Sequence, residues 1–487
     1  MIDNRLAFGV VGGLGALAGA DFLQHLIRAT AVDPERYAVA FEQQSFPGDR
    51  LRADADYDPT GRKLHAFSLI RRLEARGIDV ILLPCFISQT FLDEITPNVG
   101  TPIFGLMDAL RATLAAEHPG ATRIGVLTSD YVRGKALFEH AFQGTHAVVH
   151  PDALTQRALM DAVYGAGGLK AGRTAPAVLD ALQGACAGLI AQGCEVIIPG
   201  FTELSLVHAA LASRVAAPII DVNRCYAEFA LLQPAERPRR PFKVGVVGGV
   251  GPLATVDFMG KVVRLTEAAR DQDHIRMIVE QNPQIPDRTE HLVRGGTDPT
   301  IALFATCKKL EAAEADLIAI PCNTAHAFVD RMQAHLRIPV LNMLDETMAQ
   351  IAALHPGRRV GLLATSGTIA SGVYAEAAGR AGVPMIVPDD AHQGLVMDAI
   401  YGAAGVKAGF TTGPCRDDLL RAIVHLAGRG ADVVVLGCTE LPLLFPQTRD
   451  FDANGASIAL LDPTMLLAAA CVRHAQAARR APTAAGP

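Results

Sequence analysis

A chain of 487 residues exceeds the size of one ordinary core and calls for about two to four domains. Half of its residues are hydrophobic, 19% are charged, and no apolar run reaches the length of a membrane helix. A formal net charge of −6 leaves no basic footprint for nucleic acid, so the composition predicts a globular protein without a membrane or nucleic-acid partner.

The opening stretch "MIDNRLAFGVVGG" has no basic region followed by an apolar one and a small-residue cleavage site, which makes the cytoplasm the expected location. Nine cysteines without CxxC pairs fit neither a disulfide framework nor a zinc ribbon and are expected to be reduced thiols. No metal-ligand spacing appears.

In chain order, "FGVVGGLGALAGADF" (8–22) reads as strand, glycine turn and helix; "DVILLP" leads to Cys85, "RIGVLTS" follows, and "EVIIP" runs into "GFTEL" (200–204). Then "LLQPAERPRRPFKVG", rich in proline and arginine, breaks the apolar pattern and reads as a linker. Beyond it the series repeats. "VGVVGGVGPLATVDF" (244–258) matches the opening stretch at an offset of 236, and "YGAAGVKAG" (401–409) matches "YGAGGLKAG" (164–172) at 237. "ATS" (364–366) matches "LTS" (127–129), and "GCTEL" (437–441) matches "GFTEL".

The chain is therefore a tandem duplication, with domains at 1–232 and 243–476, a linker at 233–242 and a tail at 477–487 with too little to bury, expected to be disordered. Short β-rich runs alternate with Ala/Leu-rich helical stretches in each half, which predicts an α/β fold with parallel sheets flanked by helices. In such sheets function gathers at the carboxyl ends of the strands.

In the second half, "LIAIP" leads into Cys322-Asn323-Thr324-Ala325-His326, and "DVVVLG" leads into Cys438-Thr439-Glu440. Both cysteines are predicted at a strand's end where a helix begins, and a helix N-terminus favours thiolate over thiol. Two thiols without a metal cluster suit proton transfer at carbon, one base on each face of a stereocentre. A rival reading takes "GLGALA" and "GVGPLA" as dinucleotide fingerprints, but no acidic residue ends a second strand about twenty residues on.

Five stretches in order, "GVVGGVGPLAT", "NPQIPDRT", "PCNTAH", "YGAAGVKAG" and "GCTELPLL", resemble the cofactor-independent aspartate/glutamate racemases, the aspartate racemase branch in particular. The Asp-Ser-Gly opening and Gly-Cys-Thr-His of glutamate racemases are absent. The resemblance implies tandem domains of two βα lobes each, an acidic amino acid as substrate, no cofactor and no metal. It also implies pairing of the two halves as an intramolecular pseudo-dimer. On it Cys322 and Cys438 become the two catalytic bases, Asn323, Thr324, Thr365 and Thr439 hold the α-carboxylate and ammonium, and Arg288 and Lys407 hold the side-chain carboxylate. His326 takes a structural or supporting role. Glu440 either assists Cys438 or serves a helix N-terminus as an acidic first-turn residue.

A step of 116 residues leads from Cys322 to Cys438, and from Cys85 to Phe201. Phe201 thus stands where a second base belongs, Phe86 replaces Asn323 and Gln89 replaces His326, while Arg50, Thr128, Lys170 and Thr202 remain. The first half is expected to be a degenerate copy. Alternatives for the chain are an amino-acid-binding sensor and one-thiol decarboxylase or isomerase chemistry.

Overall fold

The computed structural model describes residues 5–48, 51–235 and 240–480, and the chain divides into two compact units after Arg240. Residues 236–239 of the expected linker lie outside the described residues. The expected tail is helical as far as Arg480, at the end of the helix Pro463–Arg480, and 481–487 lie outside the described residues.

The first unit begins with β1 (Leu6–Gly12), β2 (Tyr37–Gln43), β3 (Val80–Leu82) and β4 (Ile103–Phe104), which form a parallel sheet in the order β2-β1-β3-β4. A second parallel sheet, β6-β5-β7, is built from β5 (Arg123–Thr128), β6 (Ala147–Val149) and β7 (Val196–Gly200). The helix Val222–Leu232 then returns to the first sheet, burying Val222, Cys225 and Tyr226 with Phe8, Val10 and Phe22. Two lobes result, crossed twice by the chain.

The second unit repeats the plan. Its first lobe orders β8 (Lys243–Gly248), β9 (Arg276–Gln281), β10 (Leu317–Ala319) and β11 (Val340–Leu341) as β11-β10-β8-β9, all parallel. Its second lobe comprises β12 (Val360–Leu363), β13 (Met385–Ile386), β14 (Val433–Leu436), β15 (Thr448–Ala453) and β16 (Ala456–Leu461). Their order is β13-β12-β14-β16-β15, and the β15/β16 hairpin is antiparallel, a departure from the all-parallel expectation. The hairpin turns at Asn454-Gly455, both at positive φ, the pairing that tight hairpin turns demand. The helix Pro463–Arg480 crosses back, burying Leu467, Ala468 and Cys471 with Val244, Val246 and Phe258.

Strands such as "VVVL" (433–436) are buried at every position because helices cover both sheet faces, so their β-branched residues run continuously rather than alternating. The nine cysteines are free and buried. Among the described residues no helix is long and apolar enough to cross a membrane.

Candidate active site

In the second unit the carboxyl ends of β10 and β14 face one small cavity, and each delivers a thiol. Cys322 follows β10 in the first lobe and Cys438 follows β14 in the second; both line the cavity with Val250, Arg288, Thr289, Asn323, Thr324, Thr365, Tyr401, Lys407, Thr439 and Glu440. The structure thus brings nine of the expected residues together. His326 stays outside the lining.

The expected helix N-termini do not form. After Cys322 comes the 3-10 segment Thr324–Phe328, and after Cys438 only Leu441–Leu443. Turns this short lack the aligned peptide dipoles of an α-helix, so the thiols take their electrostatics from side chains instead.

Those side chains treat the two thiols differently. The Arg288 guanidinium, nearly all buried, interacts electrostatically with Cys322 while its terminal nitrogens donate to the carbonyls of Ile285, Pro286 and Val250 at 3.1–3.3 Å. Cys438 instead donates to Glu440 Oε2 at 3.0 Å, and Glu440 Oε1 accepts from Lys407 Nζ at 2.8 Å. Burial, and then the Glu440 charge, push the Cys438 thiol well above the ordinary cysteine range despite Lys407. Burial raises Glu440 as well, but Lys407 outweighs it and holds the carboxyl below its usual range. Cys438 is therefore a thiol facing a carboxylate.

Glycine makes this approach feasible. Gly251 sits at φ 128°, and a Cβ there would fall 2.5 Å from Glu440 Oε1. The glycines of the rival dinucleotide reading thus shape a turn and admit a carboxylate.

Two further groups organise the polar wall. The hydroxyls of Thr289, Thr324, Thr365 and Thr368 form a buried cluster with separations of 2.7–3.2 Å, and Thr365 also caps the following short helix at Thr368 N. Tyr374 donates to Asn323 Oδ1 at 2.6 Å, and among the described residues the buried Asn323 Nδ2 has no hydrogen-bond partner; Arg288 Nε is in the same condition. Two buried donors without acceptors facing one cavity are what an anionic group would satisfy. His326 has both ring nitrogens engaged by backbone, Nδ1 with the Cys322 carbonyl at 2.9 Å and Nε2 accepting from Met343 N at 3.1 Å. Since Nε2 accepts, the ring is neutral; its burial lowers the imidazole below the ordinary histidine range.

The first unit has an equivalent cavity, lined by Leu14, Cys85, Phe86, Ile87, Ser129, Val132, Tyr164, Lys170, Gly200, Phe201, Thr202 and Glu203. Lys170 pairs with Glu203 as Lys407 does with Glu440, and each lysine lies over a tyrosine ring, at 5.7 Å from Tyr164 and 5.4 Å from Tyr401. The reacting groups differ. Phe201 packs edge-on to Tyr164, and Phe86 packs against Phe138 at 5.4 Å, so the Asn323–Tyr374 hydrogen bond has become a contact between two phenyl rings. Ile87 and Val132 take the places of Thr324 and Thr368.

Arg50 lies outside the described residues. Beside Cys85 stands a different arginine, Arg62 of the helix Thr60–Ala75, whose Nη1 donates to Leu14 O at 2.7 Å and lies 3.6 Å from Cys85 Sγ. Leu14 matches Val250, so the same carbonyl and thiol are held by a guanidinium from another element. Thr128 turns its hydroxyl to the Gly200 carbonyl, and Ser129 takes Thr365's place as helix cap. Gln89 receives Leu106 N and donates to Leu83 O, repeating with an amide the backbone tether that His326 provides.

Sequence reasoning missed Thr289, Thr368, Tyr374 and Tyr401 in one unit and Arg62, Ser129, Tyr164 and Glu203 in the other. Tyr401 and Tyr164 open the repeated "YGA" motif, and Glu203 and Glu440 stand in the repeated "TEL", so the repeat itself held their signal.

The description "Asp/Glu/Hydantoin racemase" belongs to the family model that matches residues 11–230 and again 247–471. A broad specificity amino-acid racemase of Bacillus subtilis (strain 168) is 28% identical over 207 residues, covering 41% of this chain and 85% of that protein. A glutamate racemase of Corynebacterium kroppenstedtii is 33% identical over 165 residues, covering 33% of this chain and 52% of that protein, so the match spans about half of that relative's length. Among solved structures, Picrophilus torridus aspartate racemase is 31% identical with a TM-score of 0.42, covering 48% of this chain and 94% of that one.

Proposed function

The chain belongs to the Asp/Glu/hydantoin racemase family in both of its units, and on that premise we propose that the second unit racemises an acidic amino acid, aspartate first among the candidates, by proton transfer between two thiols. The observation that carries this reading is the pair of unlike thiols facing one cavity from opposite lobes: Cys322 against Arg288, and Cys438 donating to Glu440. One-directional proton transfer needs a base on one face of the α-carbon and an acid on the other, and this arrangement starts with Cys322 as base and Cys438 as acid. Cys322 takes the α-proton, Cys438 delivers its own to the opposite face, and the pair ends with roles exchanged. The reverse reaction starts from that exchanged state.

The intermediate carries negative charge spread into the α-carboxylate. Asn323 Nδ2 and the Thr324 and Thr365 hydroxyls are the groups available to it, the first held in place by Tyr374 and the others by the threonine cluster. Thr439 stands beside Cys438 for the ammonium. A side-chain carboxylate falls to Lys407, which Glu440 also engages, and to Arg288 Nε. The first unit, with one thiol and apolar rings where Cys438 and Asn323 stand, is proposed to be silent in this reaction. In this reading the thiols perform the proton transfer themselves, without pyridoxal phosphate.

The test is incorporation of solvent deuterium at the α-carbon of L- and of D-aspartate by the full chain, followed with polarimetry. Exchange accompanied by inversion, in the presence of chelator and hydroxylamine, supports the proposal. Binding of aspartate without any exchange would make the protein a sensor instead.

A further inference from the structure

Away from its thiols the second unit carries a cluster that the first unit lacks. Asp389 caps the helix Asp390–Tyr401, accepting from His392 N at 2.9 Å, and its Oδ1 lies 2.7 Å from His392 Nδ1. From the adjacent helix Pro414–Gly428, His425 stacks on His392 with ring centroids 3.7 Å apart and planes 14° apart, and its Nε2 lies 3.6 Å from Asp389 Oδ2. One ligand-type atom from each of the three residues lies within 4.8 Å of the other two.

Helix capping does not account for this. In the first unit Asp152 caps the helix Ala153–Tyr164 at the matching position, accepting from Thr155 N and Thr155 Oγ1 at 3.0 Å. At the offset of 237, Thr155 stands at the place of His392 and Gly188 at that of His425. The aspartate is therefore sufficient for the cap, and both imidazoles are additions. Sequence spacing gave no hint of the cluster, because His425 reaches the other two only through packing of the two helices.

We propose that Asp389, His392 and His425 form a binding site for a first-row divalent transition ion such as Zn²⁺, Ni²⁺ or Co²⁺. Two imidazoles with one carboxylate suit these ions better than Mg²⁺ or Ca²⁺, which take oxygen ligands. Bonds of about 2.0–2.2 Å set neighbouring tetrahedral ligands about 3.4 Å apart. The separations of 2.7 and 3.6 Å straddle that spacing. To aim both nitrogens at one ion the two stacked rings rotate out of their near-parallel arrangement, and His425 Nε2 gives up the Asp389 N–H it accepts at 3.5 Å. On binding, the ion replaces the proton shared by His392 Nδ1 and Asp389, which leaves to solvent, and water completes the coordination. The neighbouring cation, Arg429, is tied to the Val387 carbonyl at 2.7 Å. The metal would pin the start of the helix whose far end carries Tyr401 into the thiol cavity.

Titration of the tag-free full chain with Co²⁺, followed by visible absorption, tests the site without reference to catalysis. The expected result is one equivalent bound with weak ligand-field bands and no sulfur-to-metal charge transfer. In His392→Ala/His425→Ala that equivalent should be lost, with the circular dichroism spectrum and racemase rate unchanged, whereas Cys322→Ala/Cys438→Ala should retain it. Absence of binding in excess Co²⁺, bands undiminished in the double histidine variant, or charge-transfer bands that vanish with the cysteines would each overturn the proposal.

Discussion

The two units share a scaffold and the lysine–glutamate–tyrosine group at its centre, yet one cavity is lined by two thiols, hydroxyls and an amide, and the other by one thiol, the Ser129 and Thr202 hydroxyls and the apolar side chains of Phe86, Ile87, Val132 and Phe201. The difference is organised in pairs. Asn323 and Tyr374 became Phe86 and Phe138 together, which exchanges a buried hydrogen bond for a ring contact without leaving an orphaned polar atom. Thr324 and Thr368 became Ile87 and Val132 in the same way. A buried polar network is removed cheaply only when both partners go, and the first unit shows that pattern. Where the role is structural the replacement preserves it: Gln89 makes the tether of His326, and Arg62 reaches the carbonyl and thiol that Arg288 holds in the other unit.

Moving first-unit residues into the second unit probes this comparison directly. Cys438→Phe should have the largest effect, abolishing racemisation by at least about 10²-fold because one acid–base group is gone; solvent exchange in one enantiomer is expected to persist. Racemisation at the native rate would end the two-thiol assignment. Asn323→Phe should lower kcat/KM by roughly 10²-fold, the scale for losing a donor to developing negative charge. A change confined to protein stability, with kinetics intact, would show that the amide does not face substrate.

Tyr374→Phe removes the partner of Asn323 and is expected to cost about tenfold in kcat/KM, or ~1.4 kcal/mol, and Asn323→Phe/Tyr374→Phe should cost no more than Asn323→Phe alone. Full additivity of the two losses would contradict the coupling. Glu440→Gln tests the asymmetry of the thiols through pH. Cys438 must begin as a thiol, and its raised pKa places the alkaline limb of kcat/KM above the ordinary cysteine range. Removing the Glu440 charge leaves Lys407 to favour thiolate, so that limb should move to lower pH; a limb that stays or moves upward would refute the assignment. The smallest effect belongs to His326→Gln, which should leave activity within about twofold, while His326→Ala loses ~1–3 kcal/mol of stability by orphaning Met343 N–H. Loss of activity in the glutamine variant at unchanged stability would give His326 a chemical role.

The repeat makes much of this legible in the sequence itself. An offset held from the glycine turns to the "TEL" motifs, so the α/β plan, the two thiols and the substitution at Phe201 could be found by comparing the chain with itself. What escaped depended on contacts across elements. Phe138 and Tyr374 look like ordinary core aromatics until the residue opposite each is known. Arg62 has no arginine counterpart, since Ala302 follows the matching "DPT" in the second unit, and its role appears only when the helix is docked. Ser129 was hidden by the one-residue difference between "LTS" and "LATS", which shifts the cap from one hydroxyl to the next. The helix-dipole expectation for the thiols is not met because only short 3-10 turns, Thr324–Phe328 and Leu441–Leu443, follow them.

The central claim is that the two units divide into a reacting one and a silent one. It is tested most directly by the racemisation rate of Cys85→Ala in the full chain, measured beside Cys322→Ala under the same conditions. The account predicts a Cys85→Ala rate indistinguishable from that of the native protein and a fall of at least about 10²-fold for Cys322→Ala. A comparable fall in Cys85→Ala would mean that both thiols serve one reaction and that the first unit is not silent.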